Sequence, residues 1–417
     1  MVSSYEFEHP ATEIRGSVNR YLEGKQLIVG LTGSVAAYRA VDLIRWLLRR
    51  SATVIPFATT EALRYVGRDL LEWASGTRAV VELTGQTEHI SIVKSSHAVI
   101  VAPATLSSLA KLAYGIADNS VVLTALSALG YGKPVIVAPA LHSSLASTPQ
   151  YREIERKLGE QGVLVVPPRV EDSRLVMEDP AVVGRVAASV ACRGRDARGL
   201  KVLVTGGATR EWIDAVRFVS NASSGRMAYE IALEAWARGA EVDIVMGVSS
   251  VKLPQFLNVV TVETTREMAE TVARLTDTKT YDAVVSVAAP LDFEIETKNA
   301  TEKLPSNSEI QIKLKPAVKV LNSIRRKPGL LVVFTATPRE DIEGLAEAGL
   351  EKLNKYNADI VIANTAMRAG KGFGAEELNA LLVLRENTTR YLGYIHKEIL
   401  ARHVVDEIVK VFKRSQR

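Results

Sequence analysis

Three stretches of this 417-residue chain place glycine, small hydroxyl residues and amides where an apolar run ends. The first is Leu31-Thr-Gly-Ser-Val-Ala-Ala-Tyr38, the second Ala102-Pro-Ala-Thr-Leu-Ser-Ser-Leu-Ala-Lys111, and the third Asp214-Ala-Val-Arg-Phe-Val-Ser-Asn-Ala-Ser-Ser-Gly-Arg226. Where a strand turns into a helix, unpaired backbone N–H groups point outward and favour an anion, typically a phosphate. Gly33 and Ser34 suit such a turn, although Ser34 suits a plain N-cap equally well, and the pattern is not the dinucleotide GxGxxG. In the third stretch Arg217, Asn221, Ser223, Ser224 and Gly225 precede a helix start and offer the many donors that a triphosphate needs. His89, in Gln86-Thr-Glu-His-Ile-Ser91, is the side chain suited to taking a proton near neutrality, since an ordinary imidazole titrates at about pH 6.5. A lone histidine ahead of an apolar segment is also a common surface residue.

Apolar, β-branched runs recur and are separated by helical patterns. In the first half they are Gln26–Gly30, Ala52–Pro56, Ala98–Ala102, Pro134–Ala138 and Val163–Val166, with helical segments such as 37–50 and 120–129 between them. Runs of this kind suit strands buried on both faces, and the alternation predicts a parallel sheet covered by helices. Four strand ends carry small, polar or proline residues: Gly33-Ser34, Ala58-Thr-Thr60, the segment 102–108, and Ala138-Pro-Ala-Leu-His-Ser-Ser144. In open α/β sheets ligands bind outside those ends. The basic, glycine-containing stretch 192–199 reads as a linker. A second series follows at Lys201–Thr205, Glu241–Val245, Asp282–Val285, Leu330–Phe334 and Asp359–Ile362, with late strands expected at Glu309–Lys313 and Ala380–Leu384 and a closing amphipathic helix over 397–413. The expected organisation is two Rossmann-like α/β domains, 1–191 (flavodoxin-like) and 200–417 (doubly wound). Residues 1–23 form an extension that either packs on the surface or is disordered.

The length favours two domains, because a single core stops growing near ~250–300 residues. The net charge of +5 is spread along the chain without a run of like charges, which argues against a nucleic-acid tail and suits anionic small substrates. One cysteine, Cys192, forms no internal disulfide, and no Cys/His spacing suits zinc. The start, MVSSYEFEHPATEIRGS, has no apolar centre, and no apolar stretch approaches ~20 residues, so a cytoplasmic location without membrane or nucleic-acid partners is expected.

In the first half the Gly-Leu-Thr-Gly-Ser-Val-Ala-Ala-Tyr turn, the His89 segment, Ala-Pro-Ala-Thr, Ala-Asp-Asn and Pro-Ala-Leu-His resemble the homo-oligomeric flavin-containing cysteine decarboxylases, phosphopantothenoylcysteine decarboxylase above all. The resemblance implies FMN held by Gly33, Ser34, Thr59, Thr105, Ser107, Asp118 and Asn119, at an interface of a trimer, with His89 essential. It also implies oxidation of the substrate's cysteinyl side chain by the flavin, loss of CO2, and reduction of the resulting enethiolate. Two departures stand out. His142 replaces the family's carboxylate-binding asparagine, and the stretch Pro168-Arg-Val-Glu-Asp-Ser-Arg-Leu175 lacks the clamp cysteine that donates a proton in many members, as in the archaeal branch. His142, Glu171, Asp172 or a water are the remaining acids, and Arg169 and Arg174 are candidates for the substrate phosphate.

The second half resembles phosphopantothenate–cysteine ligases through Val-Arg-Phe-Val-Ser-Asn-Ala-Ser-Ser-Gly-Arg-Met, the most specific motif in the chain. The resemblance implies CTP as co-substrate with Mg2+, bound around Arg217, Ser223, Ser224, Gly225, Ser286, Val287, Ala288 and Asp292, and further by Val318, Lys319, Val320, Leu321, Phe334, Lys352 and Tyr356. Asn221 would assist cysteine attack, and Lys303 would stabilise charge on the transferring phosphoryl group. Ala363-Asn364, Gly372-Phe-Gly374 and Asn379-Ala-Leu381 complete the pattern, whereas the Lys315–Leu321 turn lacks the family's Asn and Asp. The implied assembly is a homo-oligomer on a trimeric decarboxylase core, with a dodecamer of dimerised ligase domains as its larger arrangement. A flavin-binding regulatory scaffold with an inactive decarboxylase site is the alternative reading; a flavin prenyltransferase shares the first fold but not the second domain.

Overall fold

The computed structural model describes residues 9–172, 174–296, 303–304, 307, 309–366, 375–385 and 388–415. The chain divides into two compact units, Met1–Arg195 and Asp196–Arg417.

The first unit is built on a five-stranded parallel sheet. Its spatial order is Thr53–Ala58, Gln26–Leu31, Ala98–Ala104, Val135–Pro139, Leu164–Val165. These are the expected apolar runs, and every residue of Ala98–Ala104 is buried. Strand order reverses between Gln26–Leu31 and Ala98–Ala104, so the crevice at their carboxyl ends is the default ligand position. On one face, Leu109, Leu112, Val121 and Ala125 of the helices Leu106–Tyr114 and Ser120–Gly130 close over Val99, Val101 and Val137. Burying each of these leucines and valines contributes roughly 1.5–3 kcal/mol.

Two parts of this unit refine the sequence reading. The segment ahead of the first strand packs down, with Ala11, Tyr21 and Leu22 buried. Tyr21 takes a hydrogen bond on its hydroxyl from Arg185 at 3.1 Å, and its carbonyl accepts from Cys192 Sγ at 3.7 Å. Cys192 therefore sits in the last turn of the helix Pro180–Arg193, not in a linker, because the alanine- and valine-rich run before it keeps helical periodicity up to Gly194. The stretch after Pro168 forms two short strands, Arg169–Glu171 and Arg174–Val176, which pair antiparallel with each other and with Leu141–His142.

The second unit carries an eight-stranded sheet in the order Asn258–Thr261, Glu241–Met246, Lys201–Gly206, Ala283–Ser286, Leu330–Thr337, Ile360–Thr365, Glu377–Leu384, Thr389–His396. The first six strands are parallel and the last two add antiparallel. This is a doubly wound fold with its order reversal between Lys201–Gly206 and Ala283–Ser286. The helices Arg226–Ala237 and Lys397–Ser415 pack against each other. The expected strand at Glu309–Lys313 does not form. Its isoleucines, Ile310 and Ile312, are exposed, so their alternation has no face to bury, and the pairing falls instead to Leu314–Pro316 against Phe293–Ile295. Among the described residues no helix is long and apolar enough to cross a membrane.

Candidate active sites

In the first unit the expected ligand residues gather at the carboxyl edge of the sheet. Thr32 Oγ1 donates to Pro103 O at 2.8 Å and accepts from Thr105 N at 3.1 Å, tying together the two turns that flank the order reversal. Gly33 is obligatory there, since a Cβ would lie 2.6 Å from Glu61 Cβ. Ser34 accepts from Ala36 N at 3.2 Å, and Thr59 from Ala62 N at 3.2 Å. Thr105 caps its helix by accepting from Ser108 N at 3.3 Å, and Asn119 caps the next by accepting from Val122 N at 3.0 Å. Asp118 is held by Lys111 at 2.6 Å, and its carboxyl stays below the usual range because of that ammonium. Ser107 is exposed. Ser34 is thus the N-cap that its position suits, and Thr105 and Asn119 cap helices as well. A hydroxyl that accepts in a cap still has its proton to donate.

His89 lies in the first turn of the helix Glu88–Ser95, which packs on the helix capped by Asn119. Its Nδ1 is buried without a hydrogen-bond partner among the described residues. His142 is exposed; its Nδ1 lies 2.9 Å from Ser144 Oγ, and its strand partner is Arg174. The two arginines of the clamp stretch differ. Arg169 pairs with Glu171 at 3.0 Å and with the buried Glu178 at 3.1 Å, which leaves it little freedom to reach a substrate. Arg174 is exposed beside His142. Glu178 was not singled out by the sequence reading; burial raises its carboxyl pKa, and its Oε2 has no partner among the described residues.

In the second unit a cavity of about 230 Å3 opens at the order reversal. Ser223, Ser224, Gly225, Val287, Ala288 and Phe334, all among the residues that the resemblance assigns to the nucleotide, line it together with Asn364. Gly225 has φ +76°, and a Cβ on it would meet Ser249 Oγ at 2.6 Å, so the loop can enter the helix Arg226–Ala237 only through glycine. Asn221 donates to Ala289 O and accepts from Ser223 N at 3.0 Å, joining the loop to the opposite lip of the cavity. Ser286 ends its strand just short of the lining.

The remaining expectations fall elsewhere. Arg217 turns to the buried Asp214, at 2.8 Å through Nε and 2.5 Å through Nη2, and donates to Leu304 O at 2.8 Å. Leu304 N in turn donates to Asp214 at 3.1 Å, so this pair fixes the backbone next to the exposed Lys303 rather than touching the cavity. Asp292 and Lys319 form an exposed ion pair with each other. Val318 is exposed, Val320 is buried in a core cluster, and Leu321 packs on another. Lys352 and Tyr356 lie on the helix Ile342–Tyr356 and do not line the cavity. Gly372–Gly374 lie outside the described residues. The sequence reading missed Gly207, Arg226, Thr335, Leu378 and Lys397, all of which line the cavity. Lys397 carried one overlooked signal: a lysine opening a helix opposes the helix dipole.

Residues 197–412 match the family model of the DNA/pantothenate metabolism flavoprotein C-terminal domain, and residues 15–189 match the Flavoprotein model. The coenzyme A biosynthesis bifunctional protein CoaBC of Thermococcus kodakarensis is 35% identical, over 97% of this chain and 99% of its own. The chain belongs to that family. The Methanocaldococcus jannaschii relative of the same name is 29% identical over 98% of this chain and 99% of its own. A solved C-terminal domain of a coenzyme A biosynthesis bifunctional protein is 26% identical, covers 53% of this chain and 99% of its own, and superposes with a TM-score of 0.43.

A flavin phosphate fits the first unit on its own geometry. The Gly33 turn has no room for a side chain, and Ser34 and Thr59 keep hydroxyl protons to donate.

Proposed function

We propose that the chain makes 4′-phosphopantetheine in two steps, one in each unit: CTP-dependent ligation of cysteine to 4′-phosphopantothenate, then FMN-dependent decarboxylation of the product. What supports the reading most is that Ser223, Ser224 and Gly225 line a cavity at the order reversal of the second sheet, in a chain whose first half is a flavoprotein domain.

In the ligase step a carboxylate oxygen of 4′-phosphopantothenate attacks the α-phosphorus of CTP and pyrophosphate leaves. The cysteine amine then attacks the acyl carbon of the acyl-cytidylate and CMP leaves. The Ser223–Gly225 loop and the helix start behind it hold phosphate oxygens, and Phe334 offers an apolar wall. Lys303, on the segment pinned by Asp214 and Arg217, stabilises charge at the transferring phosphoryl group. Asn221 orients the lip at which cysteine arrives. Magnesium enters with the triphosphate, whose oxygens supply much of its coordination.

In the decarboxylase step the cofactor would be held by Gly33, Ser34, Thr59, Thr105, Ser107, Asp118 and Asn119. When bound, FMN supplies a reversible two-electron oxidation of the substrate's cysteinyl side chain. His89 takes the thiol proton, a task suited to an imidazole. His142 holds the substrate carboxylate, and the exposed Arg174 beside it meets the substrate phosphate. We take the chain to be a homo-oligomer built on a trimer of decarboxylase units and working in the cytoplasm, as the resemblance of its first half implies.

The test is incubation of the purified chain with 4′-phosphopantothenate, cysteine and CTP, with products identified by mass spectrometry. We expect 4′-phosphopantetheine, CMP and pyrophosphate. Absence of any cysteine adduct would refute the ligase reading, and an adduct that keeps its carboxyl group would refute the decarboxylase reading.

A further inference from the structure

We propose that Lys397 is a phosphate-binding residue of the second unit's cavity, facing the start of the helix Arg226–Ala237 and completing with it a site for one phosphoryl group. The inference rests on the reading of this cavity as a site for phosphorylated substrates.

Lys397 opens the helix Lys397–Ser415, lines the cavity and is only 4% exposed. Its ammonium has no hydrogen bond and no ion pair among the described residues. The nearby charged groups are otherwise engaged. Arg226 binds Glu230 at 2.7 Å and faces Glu376 at 3.9 Å and Glu398 at 4.0 Å. Glu376 and Glu230 attract the Lys397 ammonium, Arg226 repels it, and burial outweighs them all and lowers its pKa. A buried cation at the positive end of its own helix dipole is disfavoured twice, by desolvation and by the dipole. An anion in the cavity would offset both.

The other wall supplies matching donors. Gly225 is the N-cap and has no side chain to cap with. Arg226 N makes only a long contact to Ser224 Oγ, at 3.4 Å. The N–H groups of Met227 and Ala228 have no partner among the described residues, and both residues line the same cavity. Orphan N–H groups of a 12-residue helix and an unpaired ammonium thus border one space of about 230 Å3. That combination selects a compact, multiply charged oxyanion. Two substrates carry one: CTP through its phosphates, and 4′-phosphopantothenate through its terminal phosphate.

The experiment uses the full chain with Lys397→Met and Lys397→Arg. Titration calorimetry is run separately with CTP plus magnesium and with 4′-phosphopantothenate. Decarboxylation of 4′-phosphopantothenoylcysteine serves as a control in the other unit. Lys397→Met is expected to weaken one of the two ligands about tenfold or more and spare the other, which tells which phosphate the lysine meets. Lys397→Arg is expected to recover most of that loss. The ligand-free melting temperature of Lys397→Met is expected to hold or rise, because an unpaired buried charge has gone; a purely structural lysine would give the opposite shift. Wild-type affinity for both ligands in Lys397→Met overturns the inference, and so does a loss of both with a lowered melting temperature that arginine does not recover. If the wild-type chain itself binds neither ligand, the reading of the cavity fails first and the inference with it.

Discussion

Asp214 governs where Lys303 can be. Its carboxylate is fully buried and accepts from Val216 N, Arg217 N, the Arg217 guanidinium and Leu304 N. Those donors, the guanidinium first, hold its pKa far below the usual carboxylate range. A depressed carboxylate pKa contributes stability that is present above the unfolded value of ~3.9 and is lost only as pH falls below it. Asp214→Asn is therefore expected to lower the melting temperature at neutral pH, with the gap to wild type closing below about pH 4. It is also expected to slow ligation at least tenfold by releasing the Lys303 segment, while decarboxylation assayed on supplied 4′-phosphopantothenoylcysteine stays unchanged. His89→Asn is expected to do the converse. Persistence of CO2 release near the wild-type rate in that variant removes His89 from the mechanism. At this scale the sequence was a good guide to motifs and a poor guide to direction. Arg217 belongs to the donor-rich loop, yet its guanidinium turns to an aspartate three residues back, and nothing in the spacing separates those outcomes. Lys397 was missed because it stands alone, and only its conflict with a helix start betrayed it.

The clamp stretch shows what an element can do without its expected residue. Arg169–Glu171 and Arg174–Val176 are secured to the unit by Arg169 reaching the buried Glu178 at 3.1 Å. Burial raises the Glu178 pKa, so its contribution to stability is fully present at low pH and is lost as pH rises through the raised value. Glu178→Gln is expected to raise the melting temperature at about pH 8, and the gain should shrink as pH is lowered towards the ordinary carboxyl range. A loss of stability at about pH 8 would mean that the ion pair outweighs the desolvation it offsets. Gly225→Ala is expected to disrupt the helix start and abolish ligation while the first unit keeps its flavin, read by absorbance and product analysis. Most elements were legible because apolar runs of β-branched residues have one comfortable destination, a strand buried on both faces. Glu309–Lys313 was misread because alternation predicts a strand only when one face finds a core, and Ile310 and Ile312 stay exposed with none to meet. The short strands of the clamp stretch, three residues each, are too brief to leave a period.

Each unit of the molecule has its own sheet and its own core, and the doubly wound plan of both was visible in the alternation of elements. A fragment ending at Arg195 is expected to fold alone and be isolated yellow, and one beginning at Asp196 to bind CTP; a colourless but folded first fragment would dismiss the flavin site. What the sequence left open at this scale was the segment before the first strand, whose packing depends on partners more than 160 residues away. Tyr21 meets Arg185 and Cys192 across that distance, so the segment just ahead of the first strand lies against the unit's last helix. A unit whose last helix returns to the entry of its first strand can be rewired. Joining Arg195 to His9 through a flexible bridge long enough to cross the unit's surface, and cutting the chain at the exposed turn around Gly85 and Gln86, changes the order of synthesis but none of the contacts beneath the sheet. Such a circular permutant is expected to refold and take up flavin, because the strand order in space owes nothing to where the backbone begins.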